Sequence, residues 1–279
     1  MSVLHAGAHR LSLTRPLIMG IVNTTPDSFS DGGRLGSVQA AIRHALQLRD
    51  EGADILDIGG ESTRPGAEPV PVEEEMARVL PVIEAVAGRG CVVSIDSKKP
   101  EVMRAALEAG AVIVNDVMAL RAPGALDVVA ASGAAVCLMH MQGDPRNMQL
   151  APEYADVVGE VRAFLQARIR ACTQAGITTE RLVVDPGFGF GKTLAHNLAL
   201  LRRLRELAEC GVPVMVGMSR KTMLGTLTGR AVDAREFAGV AAHLAAVARG
   251  ARLVRVHDVS AMRDALAIWN AVEEQQNGT

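Results

Sequence analysis

The chain has 279 residues, of which 49% are hydrophobic and 3% aromatic, and a formal net charge of −2. Such a composition supports a sizeable aliphatic core and argues against intrinsic disorder. The charge argues against a general nucleic-acid or anionic-membrane binder, and four widely spaced cysteines without a Cys-x-x-Cys pair give no support to a thiolate zinc site.

Short apolar runs alternate with helical segments along the chain. The first run covers residues 17–22, and each of seven further runs starts just after a glycine that ends a helical pattern. Glycine adopts the left-handed conformation after a helix at little cost, and a short apolar run is typical of a strand buried on both faces. The glycines that we expect to end helices in this way are Gly52, Gly90, Gly110, Gly133, Gly176, Gly211 and Gly250.

The segments between the runs carry helical signals. Ala41 and Ala45 lie on one face of a helix for which Ser37 is the predicted cap. Proline favours the first position of a helix, and Pro100 and Pro123 are predicted to occupy it. Each predicted strand is therefore followed by a helix.

Eight strand-then-helix units in roughly 250 residues predict a closed (β/α)8 TIM barrel of the α/β class. We expect a single domain over residues 1–279, with residues 1–15 as a short cap over the barrel bottom and residues 273–279 as a frayed tail. A doubly wound open sheet is the alternative. The sequence has neither a membrane-length apolar run nor a secretory leader pattern, so we expect a cytoplasmic protein that does not enter a membrane.

Polar residues follow the ends of all eight predicted strands. Because the active sites of such barrels lie at the carboxyl ends of the strands, we expect these residues to form one rim. They are Asn23, Asp57, Glu61, Ser62, Thr63, Arg64, Asp96, Asn115, Asp116, His140, Asp185, Ser219, Arg220, Lys221, Arg255, His257 and Asp258.

The acids of this rim differ in their predicted roles. Asp96 and Asp185 each end a buried strand, where a carboxylate could accept two hydrogen bonds from the planar N–H edge of a guanidine-like heterocycle. The alternative for each is to cap the next helix or to pair with a lysine. Asn115 would add a donor and an acceptor to the same edge. We interpret Asp57 as a buried structural acid and Asp116 as a cap.

The bases of the rim form a second group. Arg255 and His257 alternate on the last strand and therefore share a face. The last strands of such barrels often bind phosphate, and arginine can hold phosphate oxygens with two hydrogen bonds. An internal salt bridge to an acid is the alternative for Arg255. Lys221 could contact a ring carbonyl or a leaving group, or be a solvated surface lysine.

The glycine-rich residues 185–192 read DPGFGFGK and look like a P-loop, but Pro186 occupies the position of the first Walker glycine, and the dinucleotide fingerprint also fails. We expect these glycines to bring the backbone close to a ligand, with Phe188 or Phe190 as an apolar wall. His140 and His196 are too isolated to form a zinc site, and we predict structural roles for both.

Five segments closely resemble the dihydropteroate synthase family, which acts in folate biosynthesis and is the target of sulfonamides. The segments are residues 20–33, 57–66, 185–192, 217–221 and 255–259, and they occur in the order typical of the family. The resemblance implies that 4-aminobenzoate attacks the methylene carbon of 6-hydroxymethyl-7,8-dihydropterin diphosphate. The implied products are 7,8-dihydropteroate and diphosphate, formed by a Mg²⁺-assisted, SN1-like substitution.

The resemblance also implies a role for individual residues. The pterin would be held by Asp96, Asn115, Met139, Asp185, Gly217 and Lys221. 4-Aminobenzoate would contact Thr63, Arg64, Pro65, Phe190, Ser219 and Lys221. The diphosphate would be bound by Asn23, Arg255 and His257, with Asn23 also a ligand of Mg²⁺. The implied catalytic residues are Asp96, Lys221, Arg255 and His257.

Members of the family are commonly homodimers through late helices, and the apolar faces around residues 237–248 and 262–272 permit a homodimer here. We expect small-molecule substrates and no nucleic-acid partner. The sequence departs from the family pattern at Lys98, which adds charge near the rim, and at residues 235–240. We expect neither departure to touch a predicted ligand group.

Three other functions share part of this pattern. A pterin-dependent methyltransferase has the barrel and the pterin acids, but it would leave residues 219–221 and 255–257 without a purpose. A catalytically inactive relative that only binds pterin should have lost loop residues that are present here. An unrelated phosphate-binding barrel enzyme would not explain the carboxylate–amide cluster together with the long first loop.

Overall fold

The computed structural model describes residues 2–24, 33–62, 67–143, 148 and 152–274. A two-stranded antiparallel hairpin precedes a closed barrel of parallel strands. The hairpin strands are β1 (Val3–Ala6) and β2 (His9–Ser12). The barrel strands are β3 (Leu17–Asn23), β4 (Ile55–Gly59), β5 (Val93–Asp96), β6 (Ile113–Asp116), β7 (Ala135–Met139), β8 (Leu182–Asp185), β9 (Val214–Val216) and β10 (Ala251–Val256).

Helices follow the barrel strands and surround them. They are α1 (Gly33–Glu51), α2 (Val72–Ala87), α3 (Pro100–Glu108), α4 (Ala125–Ala131), α5 (Val157–Gln174), α6 (Leu194–Arg202), α7 (Leu204–Ala208), α8 (Thr222–Thr228), α9 (Glu236–Val247) and α10 (Val259–Glu274). Strand β10 pairs with both β3 and β9, which closes the barrel. The predicted (β/α)8 TIM barrel is thus confirmed, and the open sheet is wrong.

Six of the seven glycines predicted to end helices adopt a positive φ, between 76° and 112°. Gly133 is the exception, because α4 ends at Ala131 and the chain leaves it through the extended backbone of Ser132. The six that follow the prediction are Gly52, Gly90, Gly110, Gly176, Gly211 and Gly250.

The predicted helix starts are only partly correct. Pro100 is the first residue of α3, as predicted. Helix α1 already begins at Gly33, so Ser37 lies inside the helix and does not cap it. Helix α4 begins at Ala125 and not at Pro123, because the intervening Gly124 has a left-handed backbone with a φ of 82°.

The amino-terminal hairpin packs against the bottom of the barrel. Leu4 and Ala6 of β1 are fully buried and share an apolar cluster with residues at the starts of the strands, such as Leu17, Ile55 and Leu253. The opposite end of the chain is helical up to Glu274, and residues 275–279 of the predicted tail lie outside the described residues.

Candidate active site

The inner face of the barrel changes from apolar to polar along the strands. Side chains of alternate residues face the interior, and strand register aligns them across neighbouring strands. Leu17, Met19, Ile55, Ile113 and Leu253 form the apolar floor. One or two steps further along the strands, the inward positions are occupied by Asp57, Asp96, Asn115, Asp185 and Arg255.

The residues predicted to bind a heterocycle are brought together by register. Asp96 and Asn115 are paired across β5 and β6, and Met139 and Asp185 are paired across β7 and β8. Asn115, Met139 and Asp185 are buried. Gly217 follows β9, and a Cβ added there would lie 3.6 Å from the Cβ of Arg255. The five positions therefore line one end of the barrel interior.

Arg255 lies between two carboxylates. Its Nε donates to Oδ2 of Asp57 at 2.5 Å, and its Nη2 donates to Oδ2 of Asp96 at 2.6 Å. These are the internal salt bridges that the sequence left open as an alternative role. A partly buried guanidinium needs such partners, because transferring a charge out of water is costly unless it is paired.

Asp57 is one of the two acids that pair with Arg255. The sequence had not identified it as a partner of Arg255. It is fully buried, and its Oδ2 also accepts a hydrogen bond from the side-chain amide of Asn115 at 3.0 Å. Its interpretation as a structural acid alone is therefore too narrow. Its position gave the missing signal, since Asp57 follows Ile55 on the inner face of β4 and is aligned with Ile21 of β3. Within the described residues, Oδ1 of Asp57 has no hydrogen-bond partner, so a ligand N–H could satisfy it.

Burial raises the pKa values of Asp96 and Asp185. Burial raises the pKa of Asp96 to about 7. The positive charge of Arg255 acts in the opposite direction, and the negative charge of Asp57 raises this pKa as well. Burial also raises the pKa of Asp185, which is opposed by the positive charge of Lys221 and by the backbone N–H of Gly187, a donor to Oδ1 of Asp185 at 2.7 Å. Both acids thus remain sensitive to nearby charge.

The segment between β8 and α6, residues 186–193, folds back against the end of β7. Gly187 has a φ of 67°, and a Cβ added to it would lie 2.0 Å from the carbonyl oxygen of His140. This close approach explains why position 187 is a glycine. The sequence had predicted that this glycine brings the backbone close to a ligand. We call residues 186–193 the β8–α6 loop.

Lys221 is held by the β8–α6 loop and is not a solvated surface lysine. Its Nζ donates to the carbonyl oxygen of Phe188 and lies 4.6 Å from the centre of the Phe190 ring. Burial lowers the pKa of Lys221 to about 8, with the carboxylate of Asp185 acting in the opposite direction. The cation–π geometry fixes the amine beside an aromatic face.

The two phenylalanines of this loop differ in their surroundings. Phe188 is fully buried in the core between the barrel and the helices, which excludes it as the predicted apolar wall and leaves Phe190 as the candidate. Phe190 is only half-buried and packs beside a cluster of methionines that includes Met139 and Met141. Phe190 is therefore the aromatic side chain of the loop that borders the rim.

The hydroxyl of Ser219, after β9, is hydrogen-bonded to His257, after β10. The Oγ of Ser219 lies 3.0 Å from Nδ1 of His257 and accepts the backbone N–H of His257 at 3.2 Å. Arg220 between Ser219 and Lys221 has a φ of 58°, which is unusual for a residue other than glycine. Its side chain pairs with Asp258 at 2.5 Å, which links the same two strand ends again.

Arg235 supports this turn from behind. Its Nη1 donates to the carbonyl oxygens of Arg220 at 3.0 Å and of Lys221 at 3.4 Å. Gly225 makes room for it, because a Cβ there would lie 2.2 Å from the guanidinium. The expectation that residues 235–240 do not touch a predicted ligand group is therefore wrong for Lys221.

Lys98 and Lys99 anchor the segment that follows β4. Glu61 binds Nζ of Lys98 at 2.7 Å and Nζ of Lys99 at 2.5 Å, and Lys99 also contacts the buried Glu75 of α2. Lys99 donates to the carbonyl oxygen of Val70 at 2.5 Å, so one ammonium joins both ends of residues 61–70. The predicted residues Thr63, Arg64 and Pro65 lie outside the described residues.

Three further predictions concern structural roles, and all are confirmed. Asp116 accepts the backbone N–H groups of Met118 and Leu120, each at 2.7 Å, and so caps a turn. His196 completes a capping box with Thr193 at the start of α6. His140 is buried, and its ring contacts the amine of Lys192 at 3.0 Å.

Comparison with known proteins assigns the chain to a family. The model of the pterin binding enzyme family matches residues 19–257. The dihydropteroate synthase of Neisseria meningitidis serogroup C is 55% identical over 275 residues, which is 97% of each chain. The chain belongs to the dihydropteroate synthase family. It is accordingly an enzyme, and the resemblance inferred from sequence is confirmed.

Solved structures of this family agree with the fold. Dihydropteroate synthase from Xanthomonas albilineans with 4-aminobenzoic acid superposes with a TM-score of 0.93 at 56% identity, covering 98% of both chains. The enzyme from Burkholderia cenocepacia complexed with 7,8-dihydropteroate gives a TM-score of 0.91 at 49% identity, covering 100% of this chain and 99% of the other.

The network around Arg255 predicts how Asp96 responds to a change at Asp57. Replacing Asp57 by asparagine removes a negative charge that raises the pKa of Asp96, so that pKa should fall below its present value of about 7. Carboxyl ¹³C NMR titration of Asp96 measures the shift. Asp116→Asn is the comparison and should lower the same pKa less, since the charge of Asp116 also raises the pKa of Asp96 but has a smaller effect than that of Asp57. An unchanged or higher pKa of Asp96 in Asp57→Asn would contradict the network.

Proposed function

We propose that this enzyme condenses 6-hydroxymethyl-7,8-dihydropterin diphosphate with 4-aminobenzoate to give 7,8-dihydropteroate and diphosphate, a step of folate biosynthesis. The observation that carries the proposal is the arrangement of the barrel mouth, where acids and an amide lie beside a paired guanidinium and an amine. Relatives with 4-aminobenzoic acid or 7,8-dihydropteroate bound support the two organic ligands.

The pterin would lie flat across the barrel mouth. Its pyrimidine edge presents planar N–H donors, for which the carboxylates of Asp96 and Asp185 and the amide of Asn115 are suitable partners. Met139 offers an apolar contact to one ring face. Glycine at position 217 adds no side chain next to Arg255, which leaves room for the other face.

The diphosphate would be bound at the end of β10. The guanidinium of Arg255 has five N–H donors, and two of its nitrogens are already directed to Asp57 and Asp96. The remaining donors would face the leaving group together with the imidazole of His257. Asn23, at the end of the adjacent strand β3, would add an amide.

Asn23 also suits a magnesium ion that arrives with the diphosphate. Mg²⁺ prefers oxygen ligands, and in phosphate chemistry it commonly uses one or two protein oxygens together with phosphate oxygens and water. Among the described residues there is no group of three or more His, Cys, Asp or Glu that could hold a metal by themselves. The half-buried Asn23 carboxamide fits the first arrangement, and bound Mg²⁺ would neutralise charge on the departing diphosphate.

4-Aminobenzoate would bind on the outer side of the pterin. The described residues of this subsite are Phe190, Ser219 and Lys221. The amine of Lys221 lies 4.6 Å from the centre of the Phe190 ring. Thr63, Arg64 and Pro65 would complete it from the segment whose ends are joined by Lys99. The carboxylate of the substrate would favour a position near these cations.

The chemistry proposed for this site is dissociative. The aniline nitrogen is neutral near pH 7, so the reaction needs no strong base. Positive charge grows on the pterin methylene as diphosphate leaves, and the carboxylates of Asp96 and Asp185 would stabilise it. Excluding water from the mouth would prevent hydrolysis of this electrophile.

We also propose that the enzyme is a cytoplasmic homodimer. Helix α9 packs against both α8 and α10, and these helices and the segment between α8 and α9 expose large apolar side chains. The side chains are between 51% and 84% exposed, and they are Leu227, Val232, Phe237, Ile268 and Val272. Such a surface favours a second copy of the chain. The four unpaired cysteines suit a reducing compartment, and no helix within the described ranges has both the length and the apolar character to cross a membrane.

Turnover tests the proposed reaction. Purified protein, Mg²⁺, the dihydropterin diphosphate and 4-aminobenzoate should yield diphosphate and dihydropteroate without a methyl donor. Arg255→Ala and Asp185→Asn should each lower kcat/KM by at least ~100-fold, as expected when electrostatic stabilisation is lost. Arg252→Ala is the control, because Arg252 is exposed on the same strand, and its activity should be retained. Ligand binding without turnover would favour an inactive relative, and wild-type rates in both site variants would refute the assignment.

Sedimentation tests the homodimer. Phe237 is 84% exposed on α9, and burying it against a second copy would make Phe237→Glu unfavourable in the dimer. The wild type should sediment as a dimer at micromolar concentration and Phe237→Glu as a monomer with an unchanged circular dichroism spectrum. Arg104→Ala, on the exposed face of α3, should remain dimeric. A monomeric wild type would contradict the proposal.

A further inference from the structure

Lys192 is a buried cation that the proposed reaction does not use. It lies in the β8–α6 loop, one residue before the Thr193 cap of α6, and is only 3% exposed. Within the described part of the chain, its Nζ has no carboxylate as a hydrogen-bond partner. The amine instead contacts Nδ1 of His140 at 3.0 Å and the carbonyl oxygens of Gly187 at 3.0 Å and Phe190 at 2.9 Å, with the carbonyl oxygen of His140 further away at 3.4 Å.

The number of close acceptors matches an ammonium group. A protonated lysine has three N–H donors, and the three short contacts provide three acceptors. Burial, together with the charge of Lys192, lowers the pKa of His140 to about 3, so the ring is neutral and Nδ1 can accept. A neutral amine would have only two donors for these acceptors. The geometry therefore selects the charged form of Lys192.

The loop that Lys192 holds is the one that positions Lys221. The carbonyl oxygen of Phe188 accepts from Lys221, and the ring of Phe190 lies under the same amine. The backbone N–H of Gly187 donates to Asp185. One side of the loop thus contacts the amine of Lys192. The other side contacts Lys221 and Asp185, which are both predicted to bind substrate.

We propose that Lys192 is a positioning residue, whose protonated side chain fixes the β8–α6 loop in the conformation that presents Phe190 and Lys221 to 4-aminobenzoate. This inference rests on the proposed function. It adds a residue that touches neither substrate, and it gives the lysine of the P-loop-like segment a role other than phosphate binding.

The proposal makes activity dependent on the charge of Lys192. Burial lowers the pKa of Lys192 to about 7, opposed by Asp185 of β8 and assisted by Lys221 after β9. His140 after β7 is neutral, and Arg121 is a further cation near its ring. As the pH rises through about 7, the ammonium loses its proton and one loop hydrogen bond, so kcat/KM for 4-aminobenzoate should fall.

Stability should change in the opposite direction over the same range. The pKa of Lys192 is lower in the folded protein than its ordinary value of about 10.4, so the unfolded chain binds more protons between these two values. The contribution of Lys192 to the free energy of unfolding therefore increases with pH above about 7. A residue that only stabilised the fold would instead make activity and stability change together.

The test compares the wild type with Lys192→Met and Lys192→Arg between pH 6 and 9. Lys192→Met keeps an unbranched side chain without the charge. It should lower kcat/KM for 4-aminobenzoate ~10-fold at pH 6 to 6.5, lose the alkaline decline that Lys192 causes, and lose the pH-dependent gain in the urea midpoint. Lys192→Arg keeps the charge and should move the alkaline decline to higher pH.

A matched pair at His140 tests the same contact without changing the lysine. The side-chain oxygen of His140→Asn can replace Nδ1 as an acceptor, so this variant should retain activity within ~3-fold. His140→Leu removes the acceptor and should resemble Lys192→Met. Equal activities in the two His140 variants would contradict the proposal, as would Lys192→Met with wild-type kcat/KM and an unchanged alkaline decline.

NMR titration of lysine labelled at Cε tests the charge independently of turnover. The resonance that disappears in Lys192→Arg should titrate near pH 7, and at the pH where kcat/KM declines. Titration below pH 6 would overturn the proposal, because the amine would then be neutral over the whole range in which the enzyme is assayed. An enzyme without turnover would instead refute the proposed function, whereas the NMR and urea measurements would still report on Lys192.

Discussion

The arrangement of the barrel mouth depends on the pairing of Arg255 with Asp57 and Asp96. A guanidinium placed directly above an apolar floor needs compensating charge, and the two carboxylates provide it at 2.5 and 2.6 Å. Asp57 in turn orients Asn115. One ionic group therefore connects four strands, β4, β5, β6 and β10, and fixes the separation between the acids proposed to bind the heterocycle and the cation proposed to bind the leaving group.

The loops around the mouth are supported in a similar manner by lysine and arginine side chains that are buried, as for Lys192, or partly buried, as for Lys99 and Arg235. Lys192 holds the β8–α6 loop, Lys99 joins the two ends of residues 61–70, and Arg235 supports the turn at Arg220 and Lys221. In each case the cation donates to backbone carbonyl oxygens behind the site and not to the proposed substrates. Rigid support of this kind limits the loss of side-chain order on binding, because the groups are already in position.

Sequence predicted the barrel, its strands and the inward acids of β5 and β8, because short apolar runs, terminal glycines and strand-end polarity are local signals. It failed where a role depends on distant neighbours. Alternation along β4 indicates that Asp57 faces inward, but Asp57 and Arg255 are separated by 198 positions, and nothing local to Asp57 identifies Arg255 as its partner. Lys192 and Arg235 likewise gain their roles only from loops that fold onto them. The start of α1 was predicted wrongly, and the choice between Phe188 and Phe190 as the apolar wall stayed open, since both depend on packing.

The structure of a complex would test the central claim most directly. Crystals grown with Mg²⁺ and an unreactive phosphonate analogue of the dihydropterin diphosphate would locate both parts of the ligand in one experiment. We expect the pterin edge on Asp96, Asn115 and Asp185, and the diphosphate mimic on Arg255 and His257, within a single cavity and with Arg255 still bonded to Asp57. Ligand density on a different surface, or an Arg255 that has left Asp57 and binds neither acid nor phosphate, would contradict the account.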